Sequence, residues 1–293
     1  MKINYSTLKS VCLSPIKAFK GLGDVVETQD GIYIYKITPK AKILGVAHLD
    51  TVLDLKHFNK MEIKGDDIVF NAQLDDRLGV YTMLDILPSL GIEFDLLLTE
   101  GEESGLSTAA HFETSKDYNW MFSFDRHGED VVMYQYDDKH IRDLLIHSGL
   151  KPGIGSFSDI AFLDHLQIKG FNIGVGYEGE HSKMCYANMS ILKRQVKRFL
   201  QFYKNNKDTK LAHIPTPKKY PPSIRYNWED WGEYDNLYCY LCNATKGIHE
   251  IDADIYLCDG CFNDAEQCQQ CFNVFYNYEL TNGLCADCLD LGE

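Results

Sequence analysis

Four apolar runs of strand length each stop at a histidine or a group of carboxylates, and this repetition constrains the fold more than any other feature of the 293 residues. Residues 43–47 end on His48, with Asp50 two positions on; residues 94–98 run into Glu102 and Glu103; residues 120–124 into Asp125; residues 171–175 into a loop carrying His181. Runs that are apolar at consecutive positions are buried on both faces, as strands of a parallel sheet are, and such sheets collect ligands at their carboxyl edge. A fifth group, Asp75 with Asp76, opens the apolar-periodic stretch 78–87, where a helix N-terminus favours carboxylates. Taken singly, these are a surface His-x-Asp pair, an N-cap and a solvated helix start. Taken in order, they predict ligands delivered to one rim.

Over residues 1–205 strands alternate with helices, which predicts an α/β domain built as a three-layer sandwich with a mostly parallel central sheet. A short helical segment and a hairpin turning at Thr28-Gln-Asp-Gly31 precede the first buried strand, and a second hairpin spans 61–71 around Gly65-Asp66-Asp67. The spacing further predicts helices at 78–87, stopping at Pro88, from Leu106 to about 114, at 139–149 and at 189–203, and a strand at 131–136. Residues 206–237 hold four of the eight prolines and read as a semi-rigid linker, leaving 238–293 as a small separate domain.

No stretch approaches the roughly 18 uncharged apolar residues of a membrane span, and lysines at 2, 9, 17 and 20 interrupt the N-terminus. A soluble cytoplasmic protein without membrane association is expected. The net charge of −14 is uneven, with 14 acidic against 4 basic residues over 211–293. Such a tail repels phosphate, so the expected partner of that region is protein, not nucleic acid.

Two histidines and several carboxylates suit a pair of zinc ions, one carboxylate bridging and others terminal. A further carboxylate must take the proton of the attacking water and pass it to the leaving amine. Alternation along a strand puts Asp50 on the same side as His48, where it would hold one ring nitrogen and leave the other for a metal.

The words Ala47-His-Leu-Asp-Thr51, Leu74-Asp-Asp-Arg77, Glu102-Glu-Ser-Gly-Leu106, Phe124-Asp125 and Glu180-His181, in that order, resemble the co-catalytic zinc exopeptidases. That family includes bacterial leucyl aminopeptidase, glutamate carboxypeptidase, peptidase T and the tetrahedral aminopeptidases. The resemblance covers about residues 40–200. It implies that Asp75 bridges two zinc ions, that His48 and Asp125 complete one site, and that Glu103 and His181 complete the other. Glu102 would be the general base and Asp50 would orient His48. Only 56 positions separate Asp125 from His181, too few for the lid or dimerisation domain of carboxypeptidase-type members, so the compact aminopeptidase branch fits better. Ser158-Asp159 before an apolar segment also looks like that branch. Asp125-Arg-His-Gly128 departs from the family's usual continuation, and His127 is read as a structural or surface residue. No residue stands out as an anchor for a substrate amine or carboxylate. Aminopeptidase, dipeptidase and amide deacylase activities therefore stay open, on peptides or N-acyl amino acids.

Eight of the ten cysteines form four Cys-x-x-Cys pairs: Cys239 with Cys242, Cys258 with Cys261, Cys268 with Cys271, and Cys285 with Cys288. Each half of this double zinc ribbon would close a four-thiolate structural zinc site, paired sequentially or cross-braced. Two catalytic and two structural Zn2+ are thus expected. The resulting expectation is a dizinc hydrolase of peptide or related amide bonds, aminopeptidase-like, using a water that Glu102 deprotonates, with a ribbon domain that recruits a protein partner or restricts access. The alternative is a catalytically inactive peptidase-like scaffold whose zinc ribbons act as a protein-binding module.

Overall fold

The consecutive apolar runs build the middle of an eight-stranded sheet. In the computed structural model, which describes residues 1–65, 67–155, 157–215, 248–252, 255–267, 269, 274–276 and 280–284, the chain divides into two compact units, Met1–Lys219 and Tyr220–Glu293. Strands of the first unit are β1 (Asp24–Thr28), β2 (Gly31–Lys36), β3 (Ile43–His48), β4 (Glu62–Lys64), β5 (Ile68–Phe70) and β6 (Asp95–Thr99), then β7 (Trp120–Arg126), β8 (Asp130–Val132), β9 (Lys151–Pro152), β10 (Gly170–Gly174), β11 (Tyr177–Glu178) and β12 (Tyr186–Asn188). The large sheet runs β1-β2-β6-β3-β7-β10-β8-β9. Its four central strands, β6, β3, β7 and β10, are parallel, and β2 and β8 flank them antiparallel. The mostly parallel α/β architecture expected from the runs is the one observed.

Alternation along these strands feeds two cores. Ile43, Leu96, Leu98, Trp120, Phe122, Phe124 and Phe171 face one side of the sheet, and Leu44, Val46, Leu97 and Met121 face the other. The first side is covered by α1 (Tyr5–Leu13), α2 (Leu74–Tyr81), α4 (Lys139–His147) and α5 (Met189–Asn206), while α2 continues through a π-helical stretch into α3 (Leu87–Ser89). Leu192, Val196, Phe199 and Phe202 recur at helical spacing on α5, and they press Phe199 within 4.6 Å of Phe122 and Phe202 within 5.1 Å of Trp120, ring centre to ring centre.

Several boundaries differ from the sequence expectation. The helix expected to begin at 78 starts at Leu74, so Asp75 lies within its first turn, and Pro88 falls in α3, the last turn of this continuous helix, directly after the π-helical stretch. The helix expected from Leu106 to about 114 is replaced by one 3₁₀ turn, Thr108–His111, and another, Glu102–Ser104, precedes it. Gly101 and Gly105 bracket Glu102–Ser104 with φ of 84° and 70°, left-handed values that confine that turn to three residues. The strand expected over 131–136 is shorter, because Tyr134 turns the chain into a 3₁₀ segment with φ of 49°. β11 and β12, absent from the sequence expectation, join β5 and β4 in a second, four-stranded antiparallel sheet.

In the second unit β13 (Ile248–Asp252) pairs with β14 (Ile255–Cys258), α6 (Asp259–Asp264) follows, and β15 (Ala265–Gln267) pairs with β16 (Val274–Tyr276). Cys258 ends β14 and Cys261 is buried in α6, so this Cys-x-x-Cys pair straddles a strand-to-helix turn. Cys239, Cys242, Cys268, Cys271, Cys285 and Cys288 lie outside the described residues, as does the expected linker from 216 onward. Among the described residues no helix is long and apolar enough to cross a membrane.

Candidate active site

Because β6, β3, β7 and β10 run parallel, the residues leaving their carboxyl ends share one edge of the sheet. His48 is the last residue of β3, and its Nε2 lies 3.1 Å from Oδ1 of Asp125 on neighbouring β7. The two residues are 77 positions apart, the same offset that pairs Ile43 with Trp120, so strand register alone makes them face each other. The other ring nitrogen, Nδ1, is 3.5 Å from Asp50 Oδ1, an ion-pair contact in which neither atom has hydrogen-bond geometry. Asp50 Oδ2 accepts from the backbone N–H of Glu103 at 3.0 Å. Glu103 Oε2 in turn lies 3.0 Å from His181 Nε2, and the backbone N–H of His181 donates to Asp75 Oδ2 at 2.5 Å. Asp125, His48, Asp50, Glu103, His181 and Asp75 are thereby linked contact by contact. Ligand atoms of His48, Glu102 and Glu103 lie within 4.8 Å of one another. His181 adopts φ of 54°, unusual for a side chain with a Cβ, and the Asp75 carboxylate holds its amide there.

Supports the sequence did not single out stand behind this edge. Asn172, on β10, accepts from the Asp125 N–H at 2.8 Å and returns Nδ2–H to the Asp125 carbonyl at 3.0 Å, a two-bond clamp on the residue facing His48. Its signal in the sequence is an amide inside the apolar run 171–175, a position where a polar side chain must find partners. The buried guanidinium of Arg77 donates from Nη2 to the Leu49 carbonyl at 2.6 Å and from Nη1 to the Ser14 carbonyl at 3.1 Å. It fastens the residue between His48 and Asp50 to the helix that carries Asp75.

Electrostatics follow from crowding acids in a buried place. Burial raises the Glu102 carboxyl to a pKa of about 9, an effect that His48 partly offsets and that Asp125, Asp159 and Glu103 reinforce. Burial also raises Asp125 despite the adjacent imidazole, and takes Asp159 to about 6. For His48 burial opposes the cation, but Asp125, Asp50 and Glu102 outweigh it and hold the pKa well above 6.5. Asp50 moves the other way: against burial, His48 and the Glu103 amide stabilise its charged form. A set of buried carboxyls that keep protons because burial disfavours their charge, with repulsion between them adding to it, is a set that divalent cations complete, and two imidazoles with carboxylate oxygens are suitable donors.

The direction of the shifts predicts a pH dependence. Between about 4.5 and 9 the unfolded chain ionises Glu102 while the folded chain holds its proton, so the fold binds more protons and loses stability as pH rises. His48, raised in the fold, contributes stability that is full below 6.5 and is also lost as pH climbs through its folded value. Chelator-treated protein is expected to melt at a lower temperature near pH 8.5 than near pH 6, and added Zn2+ is expected to remove most of that slope. Melting scans across this range check the sign; a flat profile without metal contradicts it.

No protein-family model matches the sequence, and no curated protein matches it. Solved structures match the fold. A tripeptidase from Staphylococcus aureus aligns with a TM-score of 0.51 at 14% identity, covering 69% of this chain and 98% of that one. The aminopeptidase PepT from Bacillus cereus gives 0.48 at 13% identity over 64% and 90%, and an aminopeptidase from Desulfurococcus kamchatkensis gives 0.47 at 12% over 67% and 94%. This chain is similar in fold to the S. aureus tripeptidase.

Proposed function

We propose that the protein is a metal-dependent hydrolase of peptide bonds with aminopeptidase-like action. The observation that carries this reading is one rim of parallel strand ends where His48 meets Asp125 and Glu103 meets His181 of the β11–β12 turn, with Asp75 bonded to the His181 amide and Glu102 alongside. His48 with Asp125 would hold one Zn2+, Glu103 with His181 another, and Asp75 would be shared. When bound, the cations supply Lewis-acid charge beside the scissile carbonyl and the attacking water. Glu102 takes the water's proton and delivers it to the leaving amine; its high proton affinity in the bare cluster falls toward neutrality once positive charge is close. Asp50, held by the Glu103 amide, orients the His48 ring. Peptides are the substrate class because the fold is shared with a tripeptidase, a warrant by analogy that the site chemistry supports. The cysteine pairs are read as structural zinc ribbons that recruit a protein partner or restrict access to the site.

Metal analysis of the full-length chain, with a screen of aminoacyl, tripeptide and N-acyl amino-acid substrates, tests the proposal. Two cations beyond those held by cysteine and a turnover that chelation removes and Zn2+ restores are expected. Metal-loaded protein inert toward every substrate class would favour the scaffold alternative.

A further inference from the structure

Asp159 is buried behind the Glu102–Glu103 segment, and both of its oxygens are engaged. Oδ2 accepts from Thr99 Oγ1 at 2.5 Å, and Oδ1 accepts from Ser107 Oγ in a short bond. Thr99 is the last residue of β6 and Ser107 caps the 3₁₀ turn Thr108–His111, so one carboxylate grips both ends of the segment that carries Glu102 and Glu103. The neck of that segment is closed by backbone bonds from Thr108 N–H to the Glu100 carbonyl at 2.8 Å and from Leu106 N–H to the Gly101 carbonyl at 2.9 Å. Thr99 also adjoins His48, since Leu49 N–H donates to the Thr99 carbonyl at 2.8 Å and Thr99 Oγ1 lies 3.3 Å from the Ala47 carbonyl. The preceding residue, Ser158, contacts the Asn172 amide at 3.3 Å, and Asn172 is the clamp on Asp125. Two consecutive residues therefore reach the supports of His48, Glu103 and Asp125.

A carboxylate in this place adds repulsion to a cluster already crowded with acids, an effect visible in the raised Glu102 carboxyl. What it offers in return is a pair of acceptors at a fixed span. We propose that Asp159 is a positioning residue, which through Thr99 and Ser107 sets the Glu102–Glu103 segment against His48 and thereby the affinity of the site for divalent cations. This inference rests on the metal-site reading given above.

The test is a calorimetric Mn2+ titration of the full chain after chelation, with a thermal midpoint for each variant. Mn2+ is the probe because carboxylates and imidazoles hold it and thiolates do not favour it. Asp159→Ala is expected to weaken binding by about 10- to 100-fold, the range that outer-shell partners of metal ligands cost. Ser107→Ala, which removes one of the two grips, is expected to fall between Asp159→Ala and the natural protein. Asp159→Asn is expected to bind within about threefold of the natural protein, well below that outer-shell cost. Its Oδ1 still accepts from Ser107, and its amide donates to Thr99 Oγ1, which turns its own proton to the Ala47 carbonyl. Unchanged affinity in Asp159→Ala, or equal losses in Asp159→Ala and Asp159→Asn, would overturn the positioning role. If Asp159→Ala does not fold, Ser107→Ala binding as tightly as the natural protein overturns that role in its place. A natural chain that binds no Mn2+ would overturn the metal-site reading and this inference together, whereas binding indifferent to these substitutions would overturn this inference alone.

Discussion

Replacing Glu102 with glutamine is expected to lower kcat on peptide substrates by about 10²- to 10⁴-fold, a barrier increase of about 3–5 kcal/mol, while the hydrolytic cations stay bound. Glutamine keeps the shape and removes the ability to accept and return a proton. The ion-pair contacts His48–Asp125 and Glu103–His181 do not involve the Glu102 side chain, so its neutralisation leaves both pairs standing. Measuring kcat together with metal content separates two roles, because Glu102 lies close enough to His48 and Glu103 to be a ligand itself. Loss of metal along with rate would make it a ligand, and undiminished turnover would remove it from the chemistry.

Asp75→Asn is expected to weaken cation binding by more than the roughly 10- to 100-fold that outer-shell residues cost, with turnover falling in parallel. The substitution isolates charge from geometry. An asparagine oxygen can still accept the His181 amide hydrogen, so the left-handed turn at His181 keeps its anchor while the negative charge of the carboxylate is gone. Asp75→Ala removes the anchor as well, and it is expected to lose metal and to disorder the loop holding His181. Competition titration with a chromophoric chelator reads the first effect and amide exchange of residues 179–183 reads the second. Full retention of metal in Asp75→Asn would rule out a bridging aspartate.

Parts of this site are legible in the chain because buried strands leave little choice of residue. In β3 and β6 every position is buried, so His48 and, beyond Thr99, the two glutamates stand out as abrupt changes of chemistry. The supports are harder to see. Arg77 stands within a recognisable word but without a role, since its use depends on carbonyls of Leu49 and Ser14 that are far away in the chain. Asn172, an amide inside an apolar run, and Asp159, in the Ser158-Asp159 word, gain a role only once the strands beside them are in place. The helix expected after Leu106 is cut to one 3₁₀ turn, Thr108–His111, which Ser107 caps and which Phe112 leaves in extended geometry, and the β11–β12 hairpin leaves no trace in the sequence because strands of two and three residues have too few positions to show a period.

Local pattern was sufficient to determine the alternation of strands and helices, the burial of the central strands and the identity of the polar residues that follow them, because solvent exclusion acts on each short segment separately. Which of those residues meet was decided only by tertiary structure. His48 faces Asp125 because β3 and β7 lie side by side in parallel, and His181 reaches Glu103 and Asp75 from the turn between β11 and β12 of the second sheet. Strand order and register are set by the packing of the whole sheet, and no single segment contains that information.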